Sequence, residues 1–128
     1  MKALNPDGAP KPASDYAQCV IHSANAERIV ISGEVGMRPD GTIVEGLEAQ
    51  TEQVFQNIFA VLENTGFKRE HLVKIVAYST EPGTVSVFRD VRDRLLEGHL
   101  CASTYLEISG LASPNFLIEI EGEAVKEG

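Results

Sequence analysis

Apolar side chains recur along this chain with two different periods, and these predict helices and strands. Over residues 46–65 they return every three or four positions, which is the spacing of one face of an α-helix. A second stretch of this kind covers residues 85–97. Gly66 and Gly98 follow the two stretches as left-handed helix stops, so the sequence predicts two amphipathic helices.

Five other segments have the composition of β-strands. Residues 28–32 contain three consecutive β-branched side chains, and residues 72–79 are apolar on both faces except at Lys74. We therefore expect both strands to be buried on two sides. The remaining candidates are residues 16–22, 104–108 and 116–125, and a proline-rich loop at residues 5–14 precedes the first of them.

The order strand, strand, helix, strand, helix, strand, strand predicts an α+β fold with two helices on one face of a sheet. Two helices of these lengths cover only one face of a sheet of five or so strands. Several strands are nevertheless apolar on both faces, so the uncovered face needs a partner. Copies of the same chain are the usual partner, and we expect a homo-oligomer.

Length and charge narrow the class of protein. A chain of 128 residues, 43% of them hydrophobic, is expected to form a single domain over residues 1–128. Its formal net charge is -8 and its basic residues are scattered, so nucleic acid is not an expected partner. No apolar stretch approaches the roughly 20 residues that span a bilayer, and no secretory signal is apparent. We expect no membrane association and a cytoplasmic location.

The cysteines and histidines do not form a metal-binding pattern. Cys19 and Cys101 are far apart in sequence and neither belongs to a C-x-x-C pair, so both are predicted to be free thiols. His22, His71 and His99 are isolated, and nothing resembles a glycine-rich phosphate loop. We therefore predict neither a metal nor a nucleotide cofactor.

The last predicted strand, residues 116–125, has the pattern that most suggests chemistry. Glu119, Glu121 and Glu123 alternate there with apolar residues, so three carboxylates share one face of the strand. A partly buried carboxylate in this row could activate a water molecule. The alternative is a row of solvated charges on a sheet that is wet on one side.

Four short segments carry a resemblance to a known family: Asp15-Tyr16-Ala17-Gln18, Ile31-Ser32-Gly33-Glu34, Leu47-Glu48-Ala49-Gln50-Thr51 and Ile118-Glu119-Ile120-Glu121. In this order and spacing they resemble the RidA (YjgF) family over almost the whole chain. The resemblance implies a chorismate-mutase-like α+β fold and a homotrimer with an inner barrel, in which small-molecule pockets lie between neighbouring subunits. It also implies cofactor-free hydrolysis of reactive enamines and imines, such as 2-aminoacrylate, to keto acids and ammonia.

The resemblance also assigns site residues and reveals one departure. Glu119 matches the glutamate that handles water, and Tyr16, Ser32 and Gly33 match positions that line the pocket. The family's active members read about Pro-Ala-Arg-Ser-x-Val-Glu-Val before the last hairpin, whereas residues 101–108 here read Cys-Ala-Ser-Thr-Tyr-Leu-Glu-Ile. Ser103 thus stands where an arginine forks the substrate carboxylate, and losing that contact could weaken recognition by about 10-fold to several hundred-fold.

The loss of the arginine changes the expected ligand. If Ser103 points into the pocket, strand alternation turns Tyr105 to the same side, so a hydroxyl and a phenol replace a fixed cation. We therefore expect a larger, neutral or cationic ligand rather than 2-aminoacrylate. Arg28 or Arg38 is an alternative source of the cation.

The sequence is compatible with three functions. The preferred one is an enamine or imine deaminase that uses Glu119, because the pocket residues other than the arginine are present. The second is a non-catalytic trimer that binds or senses a small molecule. The third, a ribonuclease, conflicts with the acidic net charge. The structural alternatives are a solvent-facing aromatic at Tyr16 and a plain bulge or turn at Ser32-Gly33.

Overall fold

Two helices and one mixed sheet enclose the core of this chain. The computed structural model describes residues 1–127, with α1 at Leu47–Glu63 and α2 at Val85–Leu96. The strands are β1 at Lys2–Leu4, β2 at Cys19–Ile21, β3 at Glu27–Val35, β4 at Leu72–Ser79, β5 at Ala102–Glu107 and β6 at Ile118–Lys126. A single 3-10 turn, Arg69–His71, leads into β4.

The main sheet has four strands in the order β3-β6-β4-β5. β6 is antiparallel to both of its neighbours, and β5 runs parallel to β4. β5 is therefore an edge strand that follows α2 in a crossover connection. The predicted α+β arrangement, with two helices packed on one sheet, is confirmed.

The first predicted strand, residues 16–22, is mostly wrong as a member of this sheet. Only Cys19–Ile21 is a strand, and it pairs with β1 in a separate two-stranded ribbon. One bridge, from Ala17 to Ala102, joins the preceding segment to the edge of β5. β1 itself was not predicted, because a three-residue, fully exposed strand has no hydrophobic periodicity to detect.

The helical spacing places the apolar side chains as predicted. Thr51, Val54, Ile58 and Leu62 of α1 are all buried, and Gly66 follows the helix with a φ of 83°. Gly98 after α2 is also left-handed, with a φ of 85°, although the left-handed conformation begins one residue earlier, at Glu97 with a φ of 51°. Among the described residues, no helix is long and apolar enough to cross a bilayer.

Both helices lie on the same side of the sheet, so its other face has no cover in a single chain. We call this second surface the open face; it carries Val30 of β3, Lys74, Val76 and Tyr78 of β4, and Glu119, Glu121 and Glu123 of β6. Val30 is 66% exposed, so the prediction that residues 28–32 are buried on two sides is wrong for the isolated chain. The apolar residues of β3 and β4 on the open face predict that this face is covered, and a single copy of the chain does not cover it.

Candidate active site

The three glutamates of β6 lie side by side on the open face, but their environments differ. Glu121 accepts a hydrogen bond of 2.6 Å from the Tyr78 hydroxyl, and Glu123 accepts one of 2.7 Å from Arg28. The half-buried Glu119 carboxylate forms no hydrogen bond or ion pair with any described residue. Glu119 is thus the member of the row that has neither carboxylate oxygen bound to another described side chain.

A β-bulge at Ser32-Gly33 positions this carboxylate. Ile31 pairs with Gly122 and Glu34 pairs with Ile120, so β3 contains one extra residue at this point. The Glu119 side chain lies directly over Gly33, and a Cβ there would stand 2.6 Å from Glu119 Oε1. Ser32-Gly33 is therefore a bulge. It is also the place where the Glu119 side chain comes so close to the backbone that only glycine, which has no Cβ, fits without a shift.

Glu34 adds negative charge beside Glu119. Burial raises the pKa of the Glu34 carboxyl above its ordinary value, and the charge of Glu119 raises it further. On the open face, the hydrogen bond to Glu121 raises the pKa of the Tyr78 phenol. The open face is therefore an acidic surface that favours a positively charged or protonated group.

The other predicted site residues lie on the helix side of the sheet. Tyr16, Ser103 and Tyr105 line a cavity of about 190 Å³ between α2 and β5, together with Ser14, Val85, Phe88, Arg89 and Arg92. We call this cavity the helix-side pocket. The Tyr105 ring packs against Phe88 with centroids 5.4 Å apart, and its buried hydroxyl has no hydrogen-bond partner among residues 1–127.

The expectation of a pocket without a cation is wrong. Arg92 of α2 is only 3% exposed, and its Nη1 lies 3.3 Å from Ser103 Oγ. Arg92 is not among the predicted site residues, although it follows the core residue Phe88 by one helical turn and so shares its face. Of the two alternatives considered, Arg28 pairs with Glu123, and Arg38 borders a different cavity beside Gly33.

One chain does not bring the two groups of predicted residues together. In β4, Tyr78 pairs with Glu119 on the open face, whereas its neighbour Ala77 pairs with Tyr105 on the helix side. Successive strand residues point to opposite faces, so the sheet separates Glu119 from Ser103. A site that contains both must draw them from two copies of the chain.

The described residues give little support for a nucleophilic cysteine or a metal site. Cys101 precedes β5, and burial raises the pKa of its thiol to about 12, so the nucleophilic thiolate is scarce at neutral pH. Both cysteines are free thiols, as predicted. Within residues 1–127, no three His, Cys, Asp or Glu side chains are grouped so that they could hold a metal ion.

Sequence comparison relates the chain to one family. A profile of the endoribonuclease L-PSP family matches residues 7–126. A RutC family protein of Aquifex aeolicus is 39% identical over 82 residues, which is 63% of each chain. A RutC family protein of Pyrococcus horikoshii is 32% identical over 123 residues, or 94% of each chain.

Solved structures agree with this relationship. The Rid family protein YyfB of Yersinia pestis matches with a TM-score of 0.88 at 26% identity, over 98% of both chains. RidA of an Antarctic Psychrobacter species matches with a TM-score of 0.74 at 28% identity, over 98% of this chain and 100% of the other. The predicted chorismate-mutase-like α+β fold is therefore confirmed.

Proposed function

Since the chain belongs to the RidA (YjgF) family, we propose that it is a cofactor-free deaminase that hydrolyses reactive enamines and imines to carbonyl compounds and ammonia. One observation carries the proposal: Glu119 is the unpaired carboxylate of its row, held across Gly33 where water can reach it. A carboxylate whose oxygens were occupied by other side chains would be a poorer base. The position of Glu119 in the family resemblance supports the same role.

The chemistry asks little of the protein. A protonated imine carbon is already electrophilic, so Glu119 needs only to orient a water molecule and accept its proton as the oxygen adds to that carbon. The carboxyl then returns the proton to the nitrogen. The Glu119 carboxylate, free again, accepts the proton of the new hydroxyl group as the C=O bond forms, the C–N bond breaks and ammonia leaves. The glutamate row of the open face, with Glu121 beside Glu119, would favour the protonated and therefore electrophilic form of the imine.

We propose that the protein is a homotrimer whose active sites lie between neighbouring subunits. The open face carries exposed Val30 and half-buried Val76 around the glutamate row, which is an apolar surface that an adjoining copy could bury. In this arrangement one subunit supplies Glu119, Ser32 and Gly33. The neighbouring subunit supplies its helix-side pocket with Tyr16, Ser103 and Tyr105. The division of these residues between two faces supports this assignment.

Ser103 also bears on the size of the substrate. Its side chain is much shorter than the arginine that the family resemblance places there. The Arg92 guanidinium lies beside it, and a cavity of about 190 Å³ remains between β5 and α2. We therefore propose a substrate larger than 2-aminoacrylate, in which the additional atoms occupy the helix-side pocket.

The proposal is tested with Glu119→Gln, which keeps the shape of the side chain and removes its basicity. Imines are generated in situ from a panel of amino acids by an amino-acid oxidase, and ammonia release is followed. General acid–base catalysis contributes about 10²- to 10⁴-fold, and the variant should lose that much of the rate. Glu123→Gln, from the arginine-paired end of the row, is the matched control and should retain activity. Equal rates for Glu119→Gln and wild type would contradict the proposal.

A second candidate is a non-catalytic trimer that binds a small molecule. Ser103 favours it, because a family member that has lost its substrate-forking arginine could have kept the pocket and lost the reaction. This protein would bind ligand but accelerate no imine hydrolysis above the rate in solution. Turnover by wild type that Glu119→Gln abolishes would eliminate this candidate.

The family description as an endoribonuclease raises RNA as a partner, and we propose that RNA is not one. The net charge of -8 repels a phosphate backbone on average. Binding of single-stranded RNA that strengthens steeply as salt is lowered would overturn this view.

A further inference from the structure

We propose that Arg92 supplies the cation missing at position 103, and that the substrate therefore carries a carboxylate that binds in the helix-side pocket. The inference rests on the proposed function, because it names the substrate class of the same site. It reverses the sequence-based expectation of a neutral or cationic ligand. The guanidinium enters from α2, one layer away from the β5 position that the family resemblance indicates.

Besides its ion pair with Asp93, three contacts fix the position of the Arg92 guanidinium beside Ser103. Nη1 lies 3.3 Å from Ser103 Oγ and Nη2 lies 3.2 Å from Ser14 Oγ. The Phe88 ring supports the planar group from one side, with its centroid 5.4 Å from Arg92 Cζ. A preorganised guanidinium loses little freedom on binding an anion, which is the property required of a recognition group.

The hydrogen-bonding capacity of this group is not exhausted. A guanidinium has five N–H donors, and Arg92 uses three of them, because Nε also donates to Asp93 at 2.9 Å. Each of Nη1 and Nη2 retains one N–H group. The buried Tyr105 hydroxyl, which lines the same pocket, has no partner among residues 1–127. Unused donors on both residues suit an acceptor such as a carboxylate.

The local charge points the same way. Arg89, one turn before Arg92, also lines the pocket and forms no ion pair with another described residue. Asp93 is the acidic side chain in contact with Arg92, so two positive charges face one negative charge around the cavity. This is a local positive region in a chain of net charge -8. Arg92 is already paired with Asp93, so an anion bound to its two free N–H groups would balance the excess positive charge that half-buried Arg89 adds to the cavity.

A purely structural role for Arg92 makes a different prediction. As a clamp between α2, β5 and the loop that holds Ser14, it would stabilise the fold without distinguishing anions from neutral molecules. The decisive measurement is therefore discrimination by charge at constant shape.

The first experiment uses the wild-type protein and two ligands of nearly equal shape, 4-methyl-2-oxopentanoate and its neutral amide. Affinities are measured by calorimetry. The proposal predicts that the acid binds about 10- to 100-fold more tightly than the amide. Equal affinity for the two ligands would overturn it, whatever the variants show.

The second experiment assigns the discrimination to Arg92. Arg92→Gln should lose about 10- to 100-fold in affinity for the acid and little for the amide. Arg94→Gln is the matched control, because Arg94 lies on the same helix and its guanidinium pairs with Glu52 at 2.7 Å outside the pocket. Unchanged acid binding by a folded Arg92→Gln protein would refute the assignment.

A charge swap sharpens the result. Adding Ser103→Arg to Arg92→Gln returns a guanidinium to the pocket from β5 and should restore most of the lost affinity for the acid. If Arg92→Gln does not fold, the acid and amide comparison on wild type still decides the question. A folded double variant without restored affinity would contradict the proposal that a pocket cation recognises the ligand.

Failure of this inference can be told apart from failure of the proposed function. Glu119→Gln should bind the acid like wild type and release no ammonia. Charge discrimination without turnover by wild type would support the anion site and eliminate the deaminase. Turnover without charge discrimination would support the deaminase and eliminate the anion site.

Discussion

The two faces of the sheet carry the two halves of the candidate site, and they are built differently. On the helix side, Arg92 and Phe88 are buried by the chain's own packing, and a cavity forms between secondary-structure elements. On the open face, Glu119 rests on a backbone bulge at Gly33, and nothing in the same chain covers the row. Folding alone thus completes the first half, whereas the second half would be completed by a neighbouring subunit in the proposed trimer.

The two faces also differ in charge. The helix-side pocket contains Arg89 and Arg92, while the open face presents Glu119, Glu121 and Glu123 against the single lysine Lys74. In the proposed trimer, a positive region of one subunit would meet an acidic region of the next. A substrate with an iminium carbon at one end and a carboxylate at the other matches that polarity.

The largest effect is expected when the same aspartate is placed on each face. Val91 of α2 is 1% exposed, and Val91→Asp buries an unpaired charge, which should cost more than about 4 kcal/mol of stability and unfold the chain at any concentration. Val30→Asp should instead leave the subunit folded and weaken trimer association by about 100-fold or more. Circular dichroism and sedimentation across a concentration series distinguish the two. An unchanged trimer for Val30→Asp would place the interface elsewhere.

A smaller effect is expected from adding one methyl group under Glu119, the proposed catalytic carboxylate. Gly33→Ala places a Cβ 2.6 Å from Glu119 Oε1, so the flexible side chain must move aside. A displacement of this size can cost about 10- to 100-fold in kcat/KM while stability changes little. Gly110→Ala is the control, because a Cβ there meets nothing within 4 Å. Full activity in Gly33→Ala would show that the position of Glu119 is unimportant.

The smallest effect concerns pH and Glu34. Because its pKa is raised above 4.5 in the folded chain, its protonated form is favoured, and that stabilisation is present below pH 4.5 and lost as pH rises through the folded-state pKa. Glu34→Gln should therefore raise stability at pH 7, by roughly 0.5 kcal/mol or less after solvent screening, and not at pH 4. Thermal melting against pH measures this, with the exposed loop residue Glu45→Gln as control. If Glu34→Gln raised stability more at pH 4 than at pH 7, the predicted pH dependence would be contradicted.

Long periodic segments could be predicted from the sequence because the apolar residues that form each local pattern are the same residues that the core buries. Both helices, their glycine stops and the strands of the main sheet lie within a few residues of their predicted bounds. The ribbon of β1 and β2 could not be predicted correctly, since its pairing depends on a contact across the Pro-rich loop and not on periodicity. The candidate site was likewise predicted only locally. Alternation along each strand showed which residues share a face with Glu119 or with Tyr105, but not that these two residues lie on opposite faces of the sheet.

By itself the sequence determined which residues share a helix face or a strand face, because side-chain direction follows directly from backbone period. It therefore determined the glutamate row, the two amphipathic helices and the presence of a sheet with an uncovered side. Only the tertiary structure decided that Arg92 lies beside Ser103 and that Glu119 lies across the sheet from both. Contacts between distant segments depend on how the elements pack, and no local pattern in the chain encodes them.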